Sequence, residues 1–170
     1  MNSETEINDR LSPKRMSQLL SQAILQRHLS DSDTSVIFHD LSFLEQRIQT
    51  LLKLFPENSL HAIAAKANPL LKMLEILKSW NLGVEAATFG EVYLAQKTGY
   101  NSSKIIFDSP AKTDSELETA LKSGVYINAD SLEELKRIAL LKEKVKSESN
   151  IGFRINPQVG KGRIAATSVA

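Results

Sequence analysis

The sequence predicts an α/β fold, and within that class a partial (β/α)8 TIM-type barrel with about five of its eight strands. Three observations lead there. Short apolar runs begin near His61, Leu82, Lys104, Val125 and Asn150, roughly 21–25 residues apart, and helical patterns fill the gaps. Three of those helical patterns open with the same hydroxyl-x-x-Glu signature. No glycine-rich phosphate loop follows any strand, which counts against an open nucleotide-binding sheet. Strands that alternate with helices require a parallel sheet with right-handed crossovers, and units this short and even favour a barrel.

The elements follow in order. Residues 1–11 are polar. Ser12-Pro13 reads as a cap followed by proline at the first helical position, and Met16, Leu19, Leu20, Ala23 and Ile24 carry a helix over about 13–28. After the turn-rich 31–35, Val36-Ile-Phe-His39 reads as a short strand. Asp40 can cap a helix bearing Leu41, Leu44, Ile48, Leu51 and Leu52, ended by Pro56. Residues 1–35 thus form an N-terminal tail and helix, and 36–170 the N-terminal part of a barrel domain. Within the barrel, helices are expected over about 69–80, 89–98, 114–123 and 132–147. Thr88-x-x-Glu91, Thr113-x-x-Glu116 and Ser131-x-x-Glu134 are expected to be capping boxes, with each Glu reaching back to the cap amide. Gly99 and Gly124 stand where two of the helices should stop.

Bulk properties narrow the function classes. In 170 residues, 21 Lys and Arg face 20 Asp and Glu, for a net charge of +1, with no basic patch. Neither nucleic acid nor an anionic membrane is indicated as a partner. Cysteine is absent, so there is no disulfide frame and no thiolate chemistry, which fits a cytoplasmic protein. No apolar run is long enough to span a bilayer, and the acidic N-terminus does not read as a signal peptide. His28, His39 and His61 have no metal-ligand spacing, so no metal site is expected.

The most informative stretch is His61-Ala-Ile-Ala-Ala-Lys-Ala-Asn-Pro69. A lysine at the end of a buried strand is costly to desolvate, and the same desolvation frees its amine to attack an aldehyde. Lys66 is therefore a candidate Schiff-base lysine; the alternative is a side chain that snorkels out at a strand end.

Ala64-Ala-Lys-Ala-Asn-Pro69 resembles the cofactor-lysine motif of the fold-type III pyridoxal-phosphate enzymes, in particular the diaminopimelate, ornithine and arginine decarboxylases. Four further segments agree in order and spacing: Gly83-Val-Glu-Ala-Ala-Thr-Phe-Gly-Glu91, Asp108-Ser-Pro-Ala-Lys112, Asn128-Ala-Asp-Ser-Leu-Glu-Glu-Leu135 and Phe153-Arg-Ile-Asn-Pro157. The resemblance implies a barrel that holds pyridoxal 5'-phosphate at the C-terminal ends of its strands, a following β domain, and a homodimer in the full-length parent. It implies an amino-acid substrate and loss of the α-carboxylate. Carried over by position, Lys66 forms the Schiff base with the cofactor. Glu85 stands where the family has an acidic residue, commonly Asp, beside the cofactor ring. Arg154 matches the strand-five arginine near the cofactor, where a guanidinium keeps its charge when partly desolvated. Thr88 and Glu91 read as caps, and Lys112 and Asn156 lie in loops at the same end of the barrel without an assigned role. The family's phosphate-binding glycines, ring-stacking histidine and ring-nitrogen acid come later in that order, so the 170 residues are expected to be an N-terminal portion with little or no turnover. Two alternatives share the pattern: a racemase or pyridoxal-phosphate carrier on the same barrel, and a non-catalytic half-barrel that docks another chain at its fifth strand.

Overall fold

A computed structural model describes residues 12–155, in two compact units, Met1–Asn58 and Ser59–Ala170. Asn156, Pro157 and the segment 158–170 lie outside the described residues.

In the first unit α1 (Pro13–Leu25) begins at Ser12, whose hydroxyl accepts from the Arg15 amide at 3.2 Å, with Pro13 at the first helical position. The second helix, α2 (Leu41–Leu52), begins at Asp40. One Asp40 oxygen accepts from the Phe43 amide at 3.1 Å and the other from Arg15 Nε at 2.7 Å. α2 stops short of Pro56 because its last turn tightens: the Leu54 amide donates to Leu51 O at 3.0 Å. The strand expected at Val36–His39 is not formed. These residues are irregular, with Val36, Ile37 and Phe38 exposed. A strand exists only as a member of a ladder, and no described strand pairs with this segment, so its apolar composition has nothing to act on.

The second unit alternates as the spacing predicts. Its elements are β1 (Ala62–Ala64), α3 (Leu71–Ser79), β2 (Gly83–Ala86), α4 (Phe89–Lys97), β3 (Ile105–Phe107), α5 (Asp114–Ser123), β4 (Tyr126–Ala129), α6 (Leu132–Val145) and β5 (Ile151–Phe153). The five strands form one parallel sheet in sequential order, the arrangement of a barrel wall. Among the described residues, no helix is long and apolar enough to cross a membrane.

Register divides the strand residues between two faces. Val84 lies opposite Ile105, Ala86 opposite Phe107, and Phe107 opposite Ile127. These residues and Ala129 are completely buried in one core with Leu74 of α3, Val92 and Ala95 of α4, Leu117, Ala120 and Leu121 of α5, and Ile138 of α6. All four helices thus cover the same face. The other face carries Ala64, Glu85, Ile106, Tyr126, Asn128 and Gly152, which are only partly buried. A Cβ at Gly152 would collide with Asn128 Oδ1 and come within 3.0 Å of Tyr126, so glycine there lets both side chains of β4 lie across β5.

The three expected capping boxes resolve into two kinds. Thr113 and Glu116 form the full box: Thr113 Oγ1 accepts from the Glu116 amide at 3.3 Å, and Glu116 Oε2 accepts from the Thr113 amide at 2.8 Å. At α4 and α6 the hydroxyl half forms, but Glu91 Oε2 accepts from the Ala87 amide at 2.7 Å and Glu134 Oε2 from the Asp130 amide at 2.8 Å. Both acids reach one residue beyond the cap. The backbone explains the shift, since Thr88 and Ser131 are fully extended (φ −140° and −148°) while Thr113 has φ −75°. Gly99 and Gly124 follow α4 and α5 with φ of 75° and 76°, the left-handed conformation that ends a helix at least cost in glycine.

Candidate active site

The C-terminal ends of the parallel strands gather the side chains with chemistry. After β1 the chain does not continue extended to Lys66. Ala65–Ala67 form a single tight 3-10 turn, closed where the Asn68 amide donates to Ala65 O at 3.0 Å. Pro69 holds the preceding residue extended, and Asn68 Oδ1 accepts from the Leu70 amide at 3.3 Å, which turns the chain into α3. Lys66 is consequently solvent-exposed on this turn, while Ala65 is buried beneath it. The expectation of an ammonium buried at a strand end is corrected: a strand of three residues ends too early to carry Lys66 into the core.

Glu85 lies on the helix-free face of β2, opposite Ala64 on one side and Ile106 on the other. Burial pushes its carboxyl above the ordinary range, and the nearby positive charges of Lys66 and Arg154 partly oppose that rise. Asp108 and Glu91 add to it through like-charge repulsion. Glu85 therefore feels both of the other residues singled out in the sequence.

Arg154 continues from β5. Its amide donates to Ala129 O at 2.8 Å, which extends the ladder by one step, and its guanidinium donates to Asp130 Oδ1 at 3.2 Å. Both side chains are partly exposed, so the ion pair orients Arg154 more than it stabilises the fold.

Asp108 was not assigned a role from sequence. It lies two positions beyond Ile106, and its amide donates to Ala86 O at 2.9 Å, so it continues the helix-free face of β3. Its Oδ1 is buried and has no hydrogen-bond partner among the described residues. A buried acceptor without a donor costs about 1–3 kcal/mol. The alternation of the strand was the available signal.

Lys112 was placed only in a loop. Its ammonium is completely buried and donates to Ser109 O and Glu134 Oε2, both at 2.7 Å, above the ring of Phe107 at 5.6 Å. Arg137 clamps the same loop by donating to Lys112 O at 2.6 Å and pairing with Asp114 at 2.8 Å.

One exposed amine, two carboxylates and a guanidinium thus share one end and one face of the sheet. This donor set suits pyridoxal phosphate. Lys66 could supply an amine for the aldehyde, Arg154 a fixed positive charge for an anionic ring oxygen, and Glu85 and Asp108 acceptors for hydrogen-bond donors. The unpartnered Asp108 oxygen is the observation that most calls for a ligand.

Comparison with known proteins agrees. Residues 41–170 match the family described as pyridoxal-dependent decarboxylase, pyridoxal binding domain. The L-glutamyl-[BtrI acyl-carrier protein] decarboxylase of Niallia circulans is 35% identical over 147 residues, which cover 86% of this chain and 34% of that protein. The diaminopimelate decarboxylase of Archaeoglobus fulgidus is 32% identical over 129 residues, 76% of this chain and 30% of that protein. Among solved structures, diaminopimelate decarboxylase from Helicobacter pylori complexed with L-lysine superposes with a TM-score of 0.72 at 28% identity, over 82% of this chain and 35% of that one. The chain spans about a third of the length of the curated relatives it matches. With a parallel barrel wall, a lysine on the first strand-to-helix turn and this family match over residues 41–170, the chain belongs to the pyridoxal-dependent decarboxylases, through their pyridoxal-binding domain.

Proposed function

We propose that the chain supplies the cofactor lysine and part of the cofactor pocket of a pyridoxal-phosphate-dependent amino-acid decarboxylase of the diaminopimelate and ornithine decarboxylase kind. The placement of Lys66 on an exposed turn at the C-terminal end of β1, within electrostatic reach of Glu85, carries the reading. When bound, the cofactor's pyridine ring accepts the electrons released as a bond at the amino acid's α-carbon breaks.

The chain's own residues do the rest. Lys66 anchors the cofactor covalently through its ε-amine, and its exposure leaves that amine open to an incoming aldehyde. Glu85 holds its proton to a higher pH than a solvated carboxyl, so it could either donate to or accept from a bound cofactor. Arg154 is oriented by Asp130 to stabilise an anionic ring oxygen. Asp108 accepts a hydrogen bond from the ligand at its unpartnered oxygen. The proposed substrate is an amino acid, and the proposed assembly is a homodimer.

Reductive trapping tests this reading. The purified chain is mixed with pyridoxal phosphate at near-stoichiometric concentration, reduced with borohydride, digested, and mapped by mass spectrometry. The adduct is expected on the peptide containing Lys66 and is expected to vanish in Lys66→Ala. A folded sample labelled elsewhere but not at Lys66 would overturn the reading.

A further inference from the structure

Resting on the placement of Arg154 against the cofactor, we infer that the buried Lys112–Glu134 pair is a positioning device for Arg154. The connection runs through named atoms. Lys112 Nζ, with its side chain wholly out of solvent, donates to Glu134 Oε2 at 2.7 Å. The same Glu134 oxygen accepts from the Asp130 amide at 2.8 Å, which fixes the turn between β4 and α6. Asp130 Oδ1 in turn accepts from Arg154 Nη1 at 3.2 Å. Asp130 is thus held from behind through its backbone and holds Arg154 through its side chain.

A cap alone does not need this arrangement. The α4 acid Glu91 makes the same reach to the residue before its cap from a partly buried position, whereas Glu134 is buried to 5% exposure and pairs with a buried lysine. A buried ion pair is weak evidence for stability, because desolvation offsets most of the attraction. Its value lies in geometry. Lys112 has two acceptors 2.7 Å away, Ser109 O and Glu134 Oε2, so the loop after β3 and the turn after β4 are locked to each other. The first begins at the strand end that carries Asp108, and the second carries Asp130, the partner of Arg154.

Two neutral variants separate positioning from packing. K112M/E134Q removes both charges but keeps an acceptor for the Asp130 amide; K112M/E134L removes the acceptor as well. The affinity of each chain for pyridoxal phosphate is titrated by absorbance, with far-UV circular dichroism to confirm folding. K112M/E134Q, which cuts the link between the two loops, is expected to bind about threefold more weakly than the parent chain, and K112M/E134L, which also leaves the Asp130 amide without its acceptor, about tenfold more weakly. The gap between them is expected to disappear when both pairs are rebuilt on Arg154→Ala, because a positioning effect needs the residue it positions. A packing role would leave the gap in place. Should K112M/E134L fail to fold, K112M/E134M carries the comparison with a side chain that adapts to the same space. Equal affinity of the Gln and Leu forms, or a gap that survives Arg154→Ala, would overturn the inference while Lys66 labelling stands. Absence of labelling at Lys66 in the parent chain would overturn the proposed function, and this inference with it.

Discussion

Two carboxylates show how placement alone sets the sign of a pH effect. Glu85 binds its proton more tightly in the folded chain than in the unfolded one, because burial outweighs the help of Lys66 and Arg154. As pH rises from the ordinary value of 4.5 through the raised folded value, the folded state holds the extra proton and stability is lost. Glu85→Gln is therefore expected to match the parent's melting temperature at about pH 3 and to exceed it at pH 7. Asp40 has the opposite sign. Hydrogen bonds from Arg15 and the Phe43 amide hold it below its ordinary value of 3.8, so its contribution is present above that value and lost as pH falls through the folded value. Asp40→Asn should melt below the parent at pH 7, with the gap closing in acid. A thermal scan across pH that shows both variants moving in the same direction would contradict the assignment. Lys66, Glu85 and Arg154 were all legible as residues of interest, because motif and strand-end position coincide. The exposure of Lys66 was not, since the strand ended before it. For Asp108 the sequence offers only its parity with Ile106 along β3; the missing partner of its Oδ1 shows only in the structure.

At the scale of elements, caps and glycines were legible because each is a local bargain between one side chain and one or two orphan amides. The six α-helices among the described residues begin and end close to where their signals stand, and the full box at Thr113 is the clearest instance. Thr113→Ala should cost about 1 kcal/mol by urea denaturation. Val36–His39 shows the limit. Its residues favour a strand, yet pairing is a property of two segments, and only one of them is visible in a local reading. The reach of Glu91 and Glu134 past their caps is of the same sort, set by the extended backbone at Thr88 and Ser131 rather than by residue type.

The molecule as a whole has two compact units, and the exposed residues 53–58 end the first of them. Brief trypsin treatment should nick after Lys53, and Lys66 should remain in the larger product, as an N-terminal sequence of that product would show. Phe107 is buried at the centre of the second unit, its ring edge-on to Phe89 at 6.0 Å and beneath Lys112. Phe107→Ala should cost about 3–5 kcal/mol, and melting monitored in the second unit would register it.

The parallel sheet sorts its residues by parity: Val84, Ala86, Ile105 and Phe107 go to the helices, while Glu85 and Asp108 go to the open face. Strands of this kind behave like text read in a frame of two letters. Inserting one residue into β2 would exchange Glu85 with its apolar neighbours, burying a carboxylate in the core and presenting a methyl group where the open face carries an acid. Inserting two would lengthen the strand and leave every side chain on its own face. Length variation within these strands should therefore be tolerated in pairs of residues, whereas the loops that carry Lys66 and Lys112 follow no such rule. The architecture protects its chemistry by spelling core and pocket in alternate letters, so that neither can slip out of phase without destroying the other.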